Sequence, residues 1–188
     1  MKKIALDLDG VIFDSENLYR VCAEMHDVDN FKSDNIIDNS LHKFEHRYSW
    51  TKDESDSFYK QIVAKVLSTA HFMTGVELVI KELMKKYKMI IVTARSKEEL
   101  DYSKDKLSLI GLDKVKIFHN ESNKVDVFLQ ENCNFMIDDN YNICKEASDN
   151  GIKSIYFKNP CAKIPTDIQN IKVVNNWGEI YKYLMLED

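Results

Sequence analysis

Several apolar runs of this chain end in residues whose types could carry out chemistry together. The first run ends in two aspartates separated by one leucine, and the run NFMI ends in a second pair of aspartates. A third run, KMIIV, ends in a threonine, and an arginine follows two residues later. A lysine precedes the second aspartate pair in sequence. The candidate site residues are Asp7, Asp9, Thr93, Ala94, Arg95, Lys124, Asp138 and Asp139.

If these runs are parallel strands, their carboxyl ends meet at one edge of a sheet, where ligands of such sheets bind. Up to four carboxylates would then share one cleft and raise one another's pKa values. A divalent cation relieves that repulsion, and an oxygen-only ligand set favours Mg²⁺, which commonly shares its site with a phosphate. Lys124 and the amides after Thr93 supply positive potential for the same anion.

The first aspartate pair can divide the work of phosphoryl transfer. Asp7 would attack phosphorus as a nucleophile, and Asp9 would protonate the departing oxygen. Water activated by Asp9 would later cleave the aspartyl-phosphate. The sequence therefore predicts a phosphatase mechanism that depends on two strand-end carboxylates with opposite tasks.

The elements that position these residues follow from hydrophobic patterning. Short apolar runs alternate with amphipathic helical patterns at the spacing of β-α-β units, which predicts an α/β fold with a parallel sheet covered on both faces by helices. One predicted helix carries Leu100, Leu107 and Ile110 on one face and ends before Gly111. The predicted strands are Lys3–Asp7, Lys88–Thr93, Lys114–Phe118, Asn134–Ile137, Lys153–Phe157 and a short Ile171–Val174.

One region interrupts the alternation. Residues 15–74 show no convincing strand and at least two helical patterns, one of which begins at the capping-box sequence Thr51 to Glu54. We interpret this region as a small helical cap inserted after the first strand. Residues 1–14 and 75–188 then form the catalytic core.

Composition excludes several classes of protein. A formal net charge of −5 without clustered Lys and Arg argues against binding of a nucleic acid polymer. Asp7 breaks the N-terminal apolar stretch too early for a signal peptide or membrane span, which predicts a cytoplasmic protein without membrane contact. The expected partner is a small phosphorylated substrate. The sequence is compatible with a homodimer but does not decide the oligomeric state. The four cysteines, without a C-x-x-C pair, are expected to be free thiols.

The order of these motifs resembles the haloacid dehalogenase (HAD) superfamily. The resemblance rests on D-L-D-G-V at 7–11, the strand ending in Thr93, Lys124 and the pair Asp138-Asp139. It implies a Rossmann-like core with strand order 5-4-1-2-3, a cap and Mg²⁺. It also implies that Asp139 touches the cation directly and that Asp138 supports it. The implied metal ligands are Asp7, Asp9 through its carbonyl, Asp138 and Asp139, and the implied phosphate-binding residues are Thr93, Ala94, Arg95 and Lys124.

Two further matches are similar to the 5′(3′)-deoxyribonucleotidases and their bacterial relatives. Thr93-Ala94-Arg95 follows a strand, and Lys124-Val125-Asp126 precedes the sequence I-D-D-N. The resemblance implies a 5′-nucleotidase acting on (deoxy)nucleoside monophosphates. Alternatives are a sugar-phosphate phosphatase, a phosphomutase, or a protein that binds phosphate or Mg²⁺ without turnover.

Several residues have simpler interpretations. Asp14 and Ser15 are expected to cap the first inserted helix, and Arg95 is either a contact of the phosphate or a neighbouring group, or a solvated residue. His42 and His46 lie four residues apart, a spacing that places two zinc ligands on one helix face. The sequence suggests no third ligand, so a zinc site is not expected. The aromatic residues of the predicted cap are expected mainly to form its core, and Trp50 is the candidate for stacking on a nucleobase.

Overall fold

A parallel sheet forms the centre of the molecule. The computed structural model describes residues 1–186, and all neighbouring strands in the sheet are parallel. The strand order is β3-β2-β1-β4-β5-β6, so the first five strands have the order 5-4-1-2-3 and β6 is added beside β5. The strands are β1 (Lys3–Leu6), β2 (Lys88–Val92), β3 (Lys116–Phe118), β4 (Phe135–Asp138), β5 (Lys153–Phe157) and β6 (Ile171–Val174).

Helices connect the strands and cover both faces of the sheet, which confirms the predicted α/β class. Two 3-10 turns, Phe44–His46 and Leu112–Lys114, accompany them. The second turn explains why β3 begins later than expected. The helices are α1 (Ser15–Phe31), α2 (Lys52–Thr69), α3 (Val76–Leu83), α4 (Lys97–Asp101), α5 (Lys104–Leu109), α6 (Lys124–Gln130), α7 (Tyr141–Asp149) and α8 (Trp177–Leu186).

Successive strand residues enter two different hydrophobic cores, one on each face of the sheet. In β1, Ile4 and Leu6 belong to the core under α3 and α8, whereas Ala5 belongs to the core under α6 and α7. Neighbouring strands follow the same alternation, as Phe135 and Met136 show in β4. Because both faces are buried, the inner residues of β1, β2 and β4 are apolar, and polar residues begin at the carboxyl ends of these strands.

The helices inserted after β1 enclose a small core of their own. α1 and α2 pack together around Ala23, Tyr48, Trp50 and Phe58, all of them buried. The predicted capping box at the start of α2 is present. Trp50 is committed to this core, and its Nε1 donates to Asp27 over 2.7 Å. The division of the chain into a cap and a core stays a prediction.

The helix expected around Leu100 and Leu107 is broken into two. Ser96 caps α4 with a complete capping box, and the break falls at Tyr102 and Ser103, where Ser103 is fully buried. At this break the Ser103 hydroxyl accepts a hydrogen bond from Nη1 of Arg95. Among residues 1–186, no helix is long and apolar enough to cross a membrane.

Candidate active site

The carboxyl ends of β1, β2 and β4 open into one cavity of about 580 Å³. All eight residues selected from the sequence line it, although they come from four separate parts of the chain. Residues of α1, α2 and the connection between them also line this cavity. The structure therefore brings the predicted residues together, while their chemical roles stay predictions.

A buried ammonium joins two of the strand ends. Lys124 Nζ lies 2.9 Å from Asp7 Oδ2 and 2.8 Å from Asp138 Oδ2. The other oxygen of Asp138 accepts a hydrogen bond from the backbone N–H of Asn140 over 2.8 Å. Lys124 begins α6, where Asn123 accepts a hydrogen bond from the N–H of Asp126 and caps the helix. The cap fixes the start of α6, so the lysine points at the two carboxylates.

Burial and mutual repulsion change the proton affinities of these groups. Burial raises the pKa of Asp7 to about 7, with Lys124 opposing the rise and Asp138 adding to it. Burial and the charges of Asp138 and Asp7 raise the pKa of Asp139 well above its usual range. Burial disfavours the charged form of Lys124, but the two carboxylates outweigh it and raise the pKa of the ammonium. One lysine does not balance three buried acids.

The donor set fits a divalent cation. Asp7, Asp138 and Asp139 each offer a carboxylate oxygen, and these oxygens all lie within 4.8 Å of one another. Only oxygen atoms are offered, as Mg²⁺ prefers. Within residues 1–186 this is the one cluster of three or more acidic, histidine or cysteine ligands, so His42 and His46 are not part of such a cluster.

Gly10 makes room for Asp139 beside the first strand. Its φ of +71° lies in the left-handed region. A Cβ on Gly10 would lie 2.2 Å from Asp139 Oδ2, closer than any real Cβ contact. Only glycine satisfies both the backbone angle and the close approach. The glycine after the first aspartate pair therefore allows the aspartate that follows β4 to lie against the loop.

The loop after β2 is shaped by backbone hydrogen bonds. The N–H of Thr93 donates to the carbonyl of Phe118 over 2.9 Å, and its carbonyl accepts from the N–H of Glu121 over 3.2 Å. The Thr93 hydroxyl oxygen accepts from the N–H of Arg95 over 3.2 Å. Thr93 is buried at the cavity wall, and the short side chain of the exposed Ala94 lines the same wall. Thr93, Ala94 and Lys124 therefore line one cavity.

Arg95 and Ser15 both bind Asp9. Arg95 donates from Nε to Asp9 Oδ2 over 2.8 Å and from Nη2 to Oδ1 over 2.7 Å, and the Ser15 hydroxyl also donates to Oδ1. Burial opposes ionisation of Asp9, but the bonds and charge of Arg95 hold its pKa below the usual range. Of the two alternatives that the sequence left open for Arg95, the structure shows contact with a neighbouring group. The alternative prediction of a solvated Arg95 was wrong, because its side chain is buried.

Sequence patterns did not reveal three residues of the site. Ser15 was expected only to support the start of α1, and Asp14 in fact makes no side-chain cap there. Tyr19 of α1 and Tyr59 of α2 stack with ring centroids 5.9 Å apart and line the cavity, whereas Trp50 does not. A tyrosine in each of two helices is no sequence signal by itself, because their meeting depends on how α1 packs on α2.

Comparison with known proteins gives the fold a name. No family model matches the chain. Among solved structures, a haloacid dehalogenase-like hydrolase of Streptococcus pneumoniae superposes with a TM-score of 0.72 and 16% identity, with 98% of each chain covered. The chain has the haloacid dehalogenase fold. A haloacid dehalogenase-like hydrolase of Xanthomonas campestris agrees, with a TM-score of 0.65 and 13% identity over 100% of this chain and 96% of its own.

One curated protein is similar in sequence along most of this haloacid dehalogenase-fold chain. It is named a nucleotidase and comes from Clostridium acetobutylicum. The two sequences are 28% identical over 181 residues, which cover 95% of this chain and 91% of the relative.

Proposed function

We propose that this protein is a Mg²⁺-dependent phosphomonoester hydrolase that works through an aspartyl-phosphate on Asp7. The observation that carries the proposal is one cavity that is lined by Asp7, Lys124 and Thr93 and contains a buried acidic cluster. The haloacid dehalogenase fold, which the two superposed hydrolases share, is consistent with it. Asp9, two residues after the nucleophile, provides the acid and base that phosphate ester hydrolysis needs.

The residues divide the reaction between them. Lys124 and the Thr93 hydroxyl bind the phosphate oxygens and orient phosphorus toward Asp7. An oxygen of Asp7 bonds to phosphorus while the ester oxygen leaves and takes a proton from Asp9. Water then attacks the same phosphorus, Asp9 takes a proton from that water, and the Asp7 carboxylate is released.

The proposed cation ligands are carboxylate oxygens of Asp7 and Asp139 and the backbone carbonyl of Asp9. Asp138 is not proposed as a direct ligand, because both of its oxygens already accept hydrogen bonds, one from Lys124 and one from Asn140. It instead holds Lys124 beside the cation ligands. A bound Mg²⁺ would neutralise charge on the phosphate and on the carboxylates. The chain itself shapes this site, since Gly10 leaves the space in which Asp139 lies.

For the substrate we propose a nucleoside monophosphate. The stacked pair Tyr19 and Tyr59 lines the same cavity as the reacting carboxylates and offers aromatic surface to a flat base. The similarity to a protein named a nucleotidase supports the same class. A cytoplasmic location is part of this proposal, because such substrates occur there.

A steady-state screen tests the substrate. The purified protein is assayed with Mg²⁺ against ribo- and deoxyribonucleoside monophosphates and against hexose and pentose phosphates. We expect the highest kcat/KM for a nucleoside monophosphate and loss of activity when the metal is chelated. Preference for a hexose phosphate would overturn the nucleotidase assignment. Absence of turnover of every phosphomonoester would indicate a binding protein.

A further inference from the structure

The guanidinium group of Arg95, which lines the cavity, is hydrogen-bonded within the protein through all three of its nitrogens. Its side chain is 3% exposed and forms a two-pronged ion pair with Asp9, through Nε at 2.8 Å and Nη2 at 2.7 Å. The remaining guanidinium nitrogen, Nη1, donates to the hydroxyl of Ser103. Each nitrogen of the group therefore already donates a hydrogen bond to the protein, which sets Arg95 apart from an anion receptor that awaits its ligand.

The fold holds the guanidinium in this position from several sides. Ser103 is fully buried at the break between α4 and α5. The ring of Phe13 lies 5.3 Å from the guanidinium carbon, and the N–H of Asn120 donates to the Arg95 carbonyl over 2.9 Å. A planar guanidinium matches a carboxylate in two fixed positions, which an ammonium cannot do.

Three donors in turn converge on the Asp9 carboxylate. Oδ1 accepts from Arg95 and Ser15, and Oδ2 accepts from Arg95. These bonds occupy both lone pairs of Oδ1 and one lone pair of Oδ2, so the remaining lone pair of Oδ2 has a fixed direction and is the position for the proton that Asp9 carries. Asp9 is thereby oriented as a base at the mouth of β1, with its side chain still 34% exposed to the cavity.

We propose that Arg95, held by Ser103, is a positioning residue that orients Asp9 as the base for the second half-reaction and does not bind the substrate phosphate. This inference rests on the proposed function. In that step the water oxygen forms a bond to phosphorus, and the water proton passes to Asp9. The bond between phosphorus and the Asp7 oxygen breaks, which releases phosphate and restores the Asp7 carboxylate.

The test separates the two half-reactions in the variants Arg95→Met, Arg95→Lys and Ser103→Ala. The probe is p-nitrophenyl phosphate with Mg²⁺, because its good leaving group makes the first step less dependent on an acid. We expect the steady-state rate of Arg95→Met to fall about tenfold or more, as loss of an oriented base does. A burst of p-nitrophenol and accumulation of acid-stable phosphoprotein, detected by intact mass, should accompany this fall.

Smaller changes in the same direction are expected for Arg95→Lys, which keeps the charge but loses the fork, and for Ser103→Ala, which keeps the guanidinium. Inhibition by inorganic phosphate should stay within about twofold of wild type in all three, since a group that does not bind phosphate adds no binding free energy. Lys104→Met is the matched control, because it removes an exposed ion pair with Asp101 beside the same helices.

Two results would overturn the positioning role. Weaker inhibition by phosphate without accumulation of phosphoprotein would make Arg95 a phosphate ligand, and wild-type behaviour of Arg95→Met and Ser103→Ala would remove any role. Circular dichroism identifies a variant that has failed to fold, in which case the other two decide. A wild-type protein without phosphatase activity would instead overturn the proposed function itself, so the two failures are distinguishable.

Discussion

The ammonium of Lys124 lies 2.9 Å from the carboxylate of Asp7, and both groups are buried. Asp7, the proposed nucleophile, needs such a counter-ion to carry a negative charge, because burial alone favours its protonated form. The same ammonium is available to a phosphate that enters the cavity. In the proposed mechanism, Lys124 therefore connects the stability of the protein with the binding of its substrate.

Removal of that ammonium should destabilise the fold as well as the reaction. Lys124→Met leaves Asp7 and Asp138 without their cation, and loss of one partner of a buried ion pair costs about 3 kcal/mol or more. We expect that decrease in the free energy of unfolding by urea, measured without metal. Lys116→Met is the control: its ion pair with Glu131 is largely exposed and should be worth about 1 kcal/mol or less. Equal losses in the two variants would contradict the role of Lys124.

Gly10→Ala should displace Asp139. The new methyl group meets the Asp139 carboxylate, and the residue must also adopt a left-handed backbone angle that costs roughly 1–2 kcal/mol. Gly151→Ala has a similar φ of +83° but no atom within 4 Å of the added Cβ, so it bears the backbone cost alone. We expect both variants to lose stability, measured by urea unfolding, and only Gly10→Ala to lose Mg²⁺ affinity, measured by calorimetry. Unchanged metal binding in Gly10→Ala would remove Asp139 from the site.

The stacked pair of Tyr19 and Tyr59 predicts how substrate selectivity changes when one ring is removed. Tyr59→Leu removes half of the stacked pair and should lower kcat/KM for a nucleoside monophosphate about tenfold, since stacking on a base is worth roughly 1–3 kcal/mol. The value for ribose 5-phosphate, which has no base, should change much less. Trp50→Phe is the matched aromatic control, because Trp50 packs inside the inserted helices. A selectivity change in Trp50→Phe equal to that in Tyr59→Leu would contradict this assignment.

The hydrogen bonds of Asp27 predict that the stability of the inserted helices depends on pH. Its oxygens accept from Trp50 Nε1 and from the N–H and side-chain amide of Asn35, over 2.7 to 2.9 Å. Burial opposes ionisation, but these bonds outweigh it and hold the pKa of Asp27 below its usual range. A lowered pKa stabilises the fold above the ordinary value of about 4, and this contribution is lost as pH falls through the folded-state value.

Asp27→Asn removes that titration. The wild type should therefore be the more stable protein at neutral pH, and its advantage should shrink as pH falls below about 4. Urea unfolding followed by the fluorescence of the two tryptophans, Trp50 and Trp177, at several pH values measures the difference. A constant difference across this range would show that the charge of Asp27 does not contribute.

The strands and the grouping of the candidate residues at one cavity were predictable from the sequence because both depend on local signals. Each strand buried on two faces is a short apolar run, and its polar end is visible next to it, as at Asp7 and Thr93. The residues missed were those whose roles depend on packing between distant elements. Ser15 turns from the helix start toward Asp9, and Tyr19 meets Tyr59 only because α1 packs on α2.

Trp50 shows the opposite error, since an aromatic residue suited to stacking is used as core. A buried Asp27 supplies the partner that its indole N–H needs, and four neighbouring rings surround it. The sequence near Trp50 does not indicate this partner, because Asp27 lies on α1 and meets Trp50 only in the folded chain. Composition alone could not decide which aromatic residues face the cavity.

Phosphorylation of Asp7 during turnover is the step on which the proposed mechanism depends. The direct measurement is acid quenching of the wild-type protein during reaction with p-nitrophenyl phosphate and Mg²⁺, followed by peptide mass spectrometry. We predict one phosphoryl group on the peptide that contains Asp7, and neither phosphoryl group nor turnover in a folded Asp7→Asn variant. Turnover by Asp7→Asn at the wild-type rate, or a phosphoryl group on another residue, would contradict the mechanism.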